Sequence, residues 1–180
     1  VLAVGNAFPA AEQIALQTSL LTWVFVMRVL MVVASIVAFY INRAVSQSRF
    51  AQVDDMDFEQ PLTSLVWITS ILSIAGTFGA SYLMLGPNST APAELQSIWA
   101  VLAAIISFGT LGAALIPEAT KIFTSPNSTH VAEVVKASRE GGPSLNILSG
   151  MVAGNFSAFW IGMIFIFLMF GAYYASTMGL

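Results

Sequence analysis

An all-α integral membrane protein is the fold class the sequence predicts, and three observations predict it. Apolar side chains make up 57% of the 180 residues and charged ones only 8%, where a soluble domain carries about a quarter charged residues. Four stretches are apolar enough to cross hydrocarbon, which takes roughly 20 helical residues for about 30 Å. The cations outside those stretches fall in two of the three connections and in neither tail. A soluble globular enzyme and a disordered chain are thereby excluded. Six Lys+Arg against nine Asp+Glu give a net charge of -3, which leaves no basic patch for nucleic acid. The expected partners are the lipid bilayer and other membrane subunits, and no nucleic acid.

The whole chain, 1–180, reads as one membrane domain. Its first span covers about 14–42 and is interrupted by Arg28. The connection 43–61 carries Arg43 and Arg49, then Asp54, Asp55, Asp57 and Glu59. The second span, about 62–85, holds no charge, and the connection after it holds no Lys or Arg. The third, about 98–116, stops at Pro117-Glu118. The long connection 117–144 brings Lys121, Lys136 and Arg139, and its middle predicts an amphipathic helix over 129–140. Asn127-Ser128-Thr129 offers capping oxygens, Val131, Val134, Val135 and Ser138 share one helical face, and Gly141-Gly142-Pro143 ends the run. The fourth span, about 145–176, begins a stretch to Leu180 without an ionisable acid or base. A straight helix over that whole stretch would be about 54 Å long. Either its first turns stand outside the membrane or it breaks near Gly150, Gly154 or Asn155. With the cations in two connections, the positive-inside rule puts both on the cytoplasmic side and both termini on the other.

Small residues recur three or four apart inside the spans: Gly76 and Gly79, Gly109 and Gly112, Gly150 and Gly154. On one helix face they permit close backbone approach, which is how membrane helices associate without a hydrophobic drive between them. Arg28 is the candidate intramembrane or interfacial charge. At mid-membrane it costs at least about 2.5 kcal/mol and needs a partner. No acid lies in the core of a span, so that partner would come from another chain or a lipid; the alternative is snorkelling to a headgroup. Beyond Arg28 no span offers a polar stripe, which disfavours a small independent channel. Glu118 and Lys121 have the spacing of an exposed i, i+3 pair. Asn88-Ser89-Thr90, Asn127-Ser128-Thr129 and Asn155-Phe156-Ser157 fit the glycosylation pattern, which is frequent by chance. With no cysteine and His130 alone, thiolate and multi-histidine metal sites are excluded. No catalytic, cofactor-binding or metal-ligating set emerges.

One stretch goes further. Thr120-Lys121-Ile122-Phe123-Thr124-Ser125, then Val131 to Ser138, Gly141, Asn146 to Gly150 and Gly154, resembles the membrane-bound ion-pumping pyrophosphatases. The motif positions are Thr120, Lys121, Thr124, Ser125, Ser138, Gly141, Asn146 and Gly150. The resemblance covers about 29–180 and implies helices seven to ten of a sixteen-helix pump that moves protons or sodium ions at the expense of pyrophosphate. It implies that these helices lie in the outer ring, away from the catalytic ring. The sequence departs from the pattern where Lys121 replaces a glutamate, Ile122 and Phe123 replace two tyrosines, and Phe156 replaces a glutamate.

Those losses predict a non-catalytic accessory subunit: a pyrophosphatase-like remnant packed in a larger membrane complex, not an enzyme as this chain alone. The alternative is a segment of a complete pyrophosphate-energised proton or sodium pump, to which a start at Val1 rather than methionine also points. No cofactor is expected for this chain; magnesium and pyrophosphate enter only if it is part of a full pump.

Overall fold

The computed structural model describes residues 10–50, 59–89 and 91–178. All secondary structure among them is helical: α1 (Ala10–Phe50), α2 (Glu59–Leu85), α3 (Ala93–Thr124) and α4 (Thr129–Met178). Three helical stretches are long and apolar enough to cross a membrane: Glu12–Ser48, Glu59–Leu85, and Ala93–Thr177, which contains both α3 and α4. Asp54, Asp55, Asp57 and Thr90 lie outside the described residues, as does the side chain of Arg49. The chain divides into two compact units, one drawn from 1–110 with 172–180 and the other from 111–171.

In the first unit α1 buries a single stripe. Leu16, Leu20, Trp23, Met27, Ala34, Ala38 and Asn42 are its buried residues, and steps of three, four or seven keep them on one face. The upper part packs with Leu85 and Leu95 into an apolar cluster. Contacts with α2 step backward as α1 steps forward, so the two helices are antiparallel. Trp23 Nε1 donates to Ser81 Oγ at 3.0 Å. A Cβ on Gly76 would come within 2.9 Å of the Leu30 side chain. Asn42 Nδ2 donates to the Pro61 carbonyl at 3.1 Å, while its Oδ1 accepts from Ser64 Oγ.

The buried face of α2 corrects one expectation. A polar stripe does exist: Ser70, Ser73, Thr77 and Ser81, all buried and spaced at helical intervals. Hydroxyls are small enough to allow close approach and need fewer partners than a charge, so they glue membrane helices without the cost of an ion. Thr77 is the exception within the stripe. It is 0% exposed, and its Oγ1 has no hydrogen-bond partner.

α3 does not stop where its apolar run stops. Pro117 sits inside the helix, which continues to Thr124. Proline removes one backbone bond and crowds the preceding turn, yet two helical hydroxyl-to-carbonyl bonds follow it, Thr120 to Ile116 at 2.9 Å and Thr124 to Thr120 at 2.9 Å.

α4 is interrupted at Gly142, with φ 65 and ψ -155. Helical backbone runs through Gly150, Gly154 and Asn155, so the break falls before them. A residue preceding proline is pushed out of the α region, and this φ, ψ combination is essentially open to glycine alone. Pro143 then occupies the start of the second arm, where the missing N–H costs nothing. Gly141 is required for a different reason: a Cβ there would meet the Leu145 side chain at 2.5 Å.

The hydroxyl face generates a prediction. Thr77→Val, an isosteric change that removes an unpartnered buried hydroxyl, is expected to leave stability unchanged or raise it. Trp23→Phe is expected to lower it by about 0.6–1.7 kcal/mol, the range measured for hydrogen bonds between membrane helices. Thermal unfolding in detergent measures both; a loss for Thr77→Val as large as that for Trp23→Phe contradicts the assignment.

Candidate functional site

The second unit brings together residues far apart in sequence. α3 ends with Ser125 N donating to the Lys121 carbonyl at 2.9 Å, and Ser128 N donates to the Ser125 carbonyl at 2.9 Å. Ser128 then caps α4: its Oγ accepts from the His130 N–H at 3.3 Å and donates back to the Ile122 carbonyl. One serine thus ties the end of one helix to the start of the next, satisfying groups that both termini would leave unpaired.

From there the first arm of α4, 129–141, runs to the Gly142 break, and the second arm returns beside it. The His130 ring centroid lies 5.8 Å from that of Phe156. A straight helix would separate residues 130 and 156 by about 39 Å, so Gly142 reverses the chain. Phe123 closes the pair, at 5.0 Å from His130 and 6.0 Å from Phe156 in an edge-on arrangement. Trp160 extends the array at 6.2 Å from Phe156. Aromatic pairs of this geometry are worth about 0.5–1.5 kcal/mol each beyond the area they bury. Between the arms lies a groove of about 480 Å³, lined by His130, Glu133 and Val134 on one side and Leu148, Val152 and Phe156 on the other.

Two of the departures from the pyrophosphatase pattern meet here, while a third, Ile122, is exposed. Phe123 and Phe156, which stand where that pattern has a tyrosine and a glutamate, touch each other and enclose His130. Lys121, in place of a glutamate, pairs with Glu118 at 3.1 Å, both half-buried. A partly exposed i, i+3 pair contributes a few tenths of a kcal/mol. Phe123 and Phe156 thus form an apolar clamp on His130, and Lys121 an ion pair near the end of α3. His130 was passed over in the sequence because a lone histidine has no partner at helical spacing; the aromatic replacements flanking it were the available signal.

The remaining motif positions are dispersed. Thr120 and Thr124 turn their hydroxyls onto their own helix. Ser138 and Asn146 are exposed, and Gly141 packs on Leu145. Among the packing glycines, Gly76 meets Leu30 and Gly112 would place a Cβ 3.2 Å from Leu168. Gly79, Gly109, Gly150 and Gly154 have no atom within 4 Å of where a Cβ would sit. Arg28 lies on the exposed face of α1 and forms no ion pair among the described residues. No group of three His, Asp or Glu among those residues could hold a metal ion.

Comparison with known proteins gives this arrangement its class. Residues 2–180 match the family model described as inorganic H+ pyrophosphatase. The chain belongs to the membrane-bound pyrophosphatase family, and it is an integral membrane protein. It is 46% identical over 171 residues to the K(+)-insensitive pyrophosphate-energized proton pump of Chlorobaculum tepidum. That match takes in 95% of this chain but 22% of the relative. The family match also begins well before residue 29, where the resemblance in the sequence started. No solved structure matches the chain.

The reversal at Gly142 is testable by itself. Gly142→Ala introduces no steric contact, since nothing lies within 4 Å of the added Cβ. Its only effect is on the backbone, and a loss of about 1–3 kcal/mol is expected in thermal or denaturant unfolding. An unchanged midpoint contradicts the positive φ.

Proposed function

We propose that the chain is a segment of a complete pyrophosphate-energised proton pump, contributing four membrane-crossing helices and a cytoplasm-facing helical hairpin. The observation that carries this reading is the disproportion of the match: 46% identity across 95% of the chain, but only 22% of the relative's length. A remnant released from pumping would be free to drift, and near-half identity along nearly the whole chain favours a segment over the accessory subunit.

The four-span topology rests on the helices and on charge. α1, α2, α3 and the second arm of α4 each exceed the roughly 20 residues needed to cross. Arg43, Lys121, Lys136 and Arg139 fall in the two connections assigned to the cytoplasm. Aromatic residues at the other end of the spans, Tyr82 against Trp99 at 5.3 Å, suit a membrane–water interface.

Magnesium and pyrophosphate belong to the whole pump. The donor set described here does not fit them: Glu133 is the single carboxylate in the groove, and no acidic trio is available among the described residues. We read the part of this segment as framework. Its hydroxyl-lined helix pair fixes the distance between α1 and α2, and its clamp of Phe123, His130 and Phe156 fixes the hairpin.

The intact mass of the native polypeptide tests this reading. A mass several times 19.2 kDa is expected, with the other family segments on the same chain. A native product of 19.2 kDa would restore the accessory subunit.

A further inference from the structure

The level of Arg28 in the bilayer follows from what α1 touches on α2. Trp23 Nε1 meets Ser81 Oγ at 3.0 Å, and the next residue, Tyr82, lies 5.3 Å from the Trp99 ring. Such a tyrosine–tryptophan pair suits the headgroup level of a bilayer. At the other end of the contact Asn42 meets the Pro61 carbonyl. Arg28 stands five residues inward from Trp23, about 7.5 Å, and fourteen from Asn42, about 21 Å. The Tyr82–Trp99 end is therefore its nearer surface.

Its surroundings on α1 are apolar. Leu21, Val24 and Phe25 before it and Val32 after it are all exposed on adjoining turns. Arg28 is exposed with them and forms no ion pair among the described residues. Glu12 and Glu94 stand in the first turns of α1 and α3, beyond the Tyr82–Trp99 level. Glu12 is sixteen residues away, about 24 Å along the helix. A guanidinium in hydrocarbon is costly enough to require an anion or water. Helical side chains lean toward the N-terminus of their own helix, which here is the direction of the nearer surface. The arginine stem lies along Leu21, Val24 and Phe25 while its head reaches the headgroups.

We infer that Arg28 is a binding site for the phosphate of an anionic phospholipid in the non-cytoplasmic leaflet. The choice of leaflet rests on the topology proposed above. The planar fork of a guanidinium matches two phosphate oxygens. Among the described residues no carboxylate is within reach to hold the ammonium of a zwitterionic headgroup. The positive charge is thus uncompensated, and it selects a lipid of net negative charge.

The native polypeptide, held in nanodiscs of phosphatidylglycerol or of phosphatidylcholine, tests this. Native mass spectrometry counts the lipids each chain retains on release. The wild-type chain is expected to retain one more phosphatidylglycerol than Arg28→Gln, and the same number of phosphatidylcholines. Arg28→Lys keeps the charge without the fork, and its phosphatidylglycerol occupancy is expected between the two. Equal phosphatidylglycerol counts for wild type and Arg28→Gln overturn the inference, as does an equal loss of phosphatidylcholine. Thermal unfolding gives a second readout: phosphatidylglycerol is expected to raise the wild-type midpoint above that in phosphatidylcholine, and to leave that of Arg28→Gln unmoved. A midpoint lowered by Arg28→Gln to the same extent in both lipids would mean an acidic partner elsewhere in the native polypeptide, which also overturns it. Thr18→Cys, exposed five residues outward from Trp23, separates the site from the topology. Its reaction with a membrane-impermeant maleimide from the cytoplasmic side alone would end the leaflet assignment, whereas equal phosphatidylglycerol counts end the site itself.

Discussion

Inside hydrocarbon no water is available to a backbone N–H or C=O, so every such group must be satisfied within its own segment. That constraint makes the long apolar stretches helical, and it also decides what holds the helices together. Lipid tails are as apolar as leucine, so burying leucine against leucine yields little; close approach and hydrogen bonding do the work instead. The α1–α2 pair shows both. Gly76 lets Leu30 come near, and Ser81, Ser64 and Asn42 supply bonds at either end of the contact.

The second unit answers a different problem, which is how to turn a long helical stretch back on itself. Two features of one short sequence accomplish it. Gly142 supplies a backbone conformation closed to other residues, and Pro143 restarts the helix. The reversal brings a charged, amphipathic arm alongside the base of the last helix, and the ring contacts of His130 with Phe123 and Phe156 hold it there. Glycine, proline and three rings thus convert what would be one overlong helix into a hairpin.

Much of this was legible in the residues. Apolar run length and charge placement gave the membrane and the helices, and Gly141-Gly142-Pro143 marked the break because each residue has a local reason to be there. Glu118 and Lys121 were paired by spacing alone and lie 3.1 Å apart. The hydroxyl stripe on α2 was not recognised, because serine and threonine barely alter hydropathy and their helical spacing matters only once a partner helix is present. Pro117 marked the end of an apolar run but not of a helix. The His130–Phe156 contact was out of reach of any local pattern, since it joins residues twenty-six apart through a turn whose direction the sequence leaves open. Function was legible mainly through likeness: the motif around Thr120 to Gly154 pointed to the family, and its aromatic replacements pointed away from the segment reading that the extent of identity supports.

The whole second unit depends on α4 doubling back at Gly142. A distance between spin labels at Ala132→Cys and Asn155→Cys in the native polypeptide, held in lipid, measures it. A reversed chain predicts a short separation, in keeping with ring centroids of His130 and Phe156 only 5.8 Å apart. A separation of about 35 Å, the length of a straight helix between those positions, would contradict it.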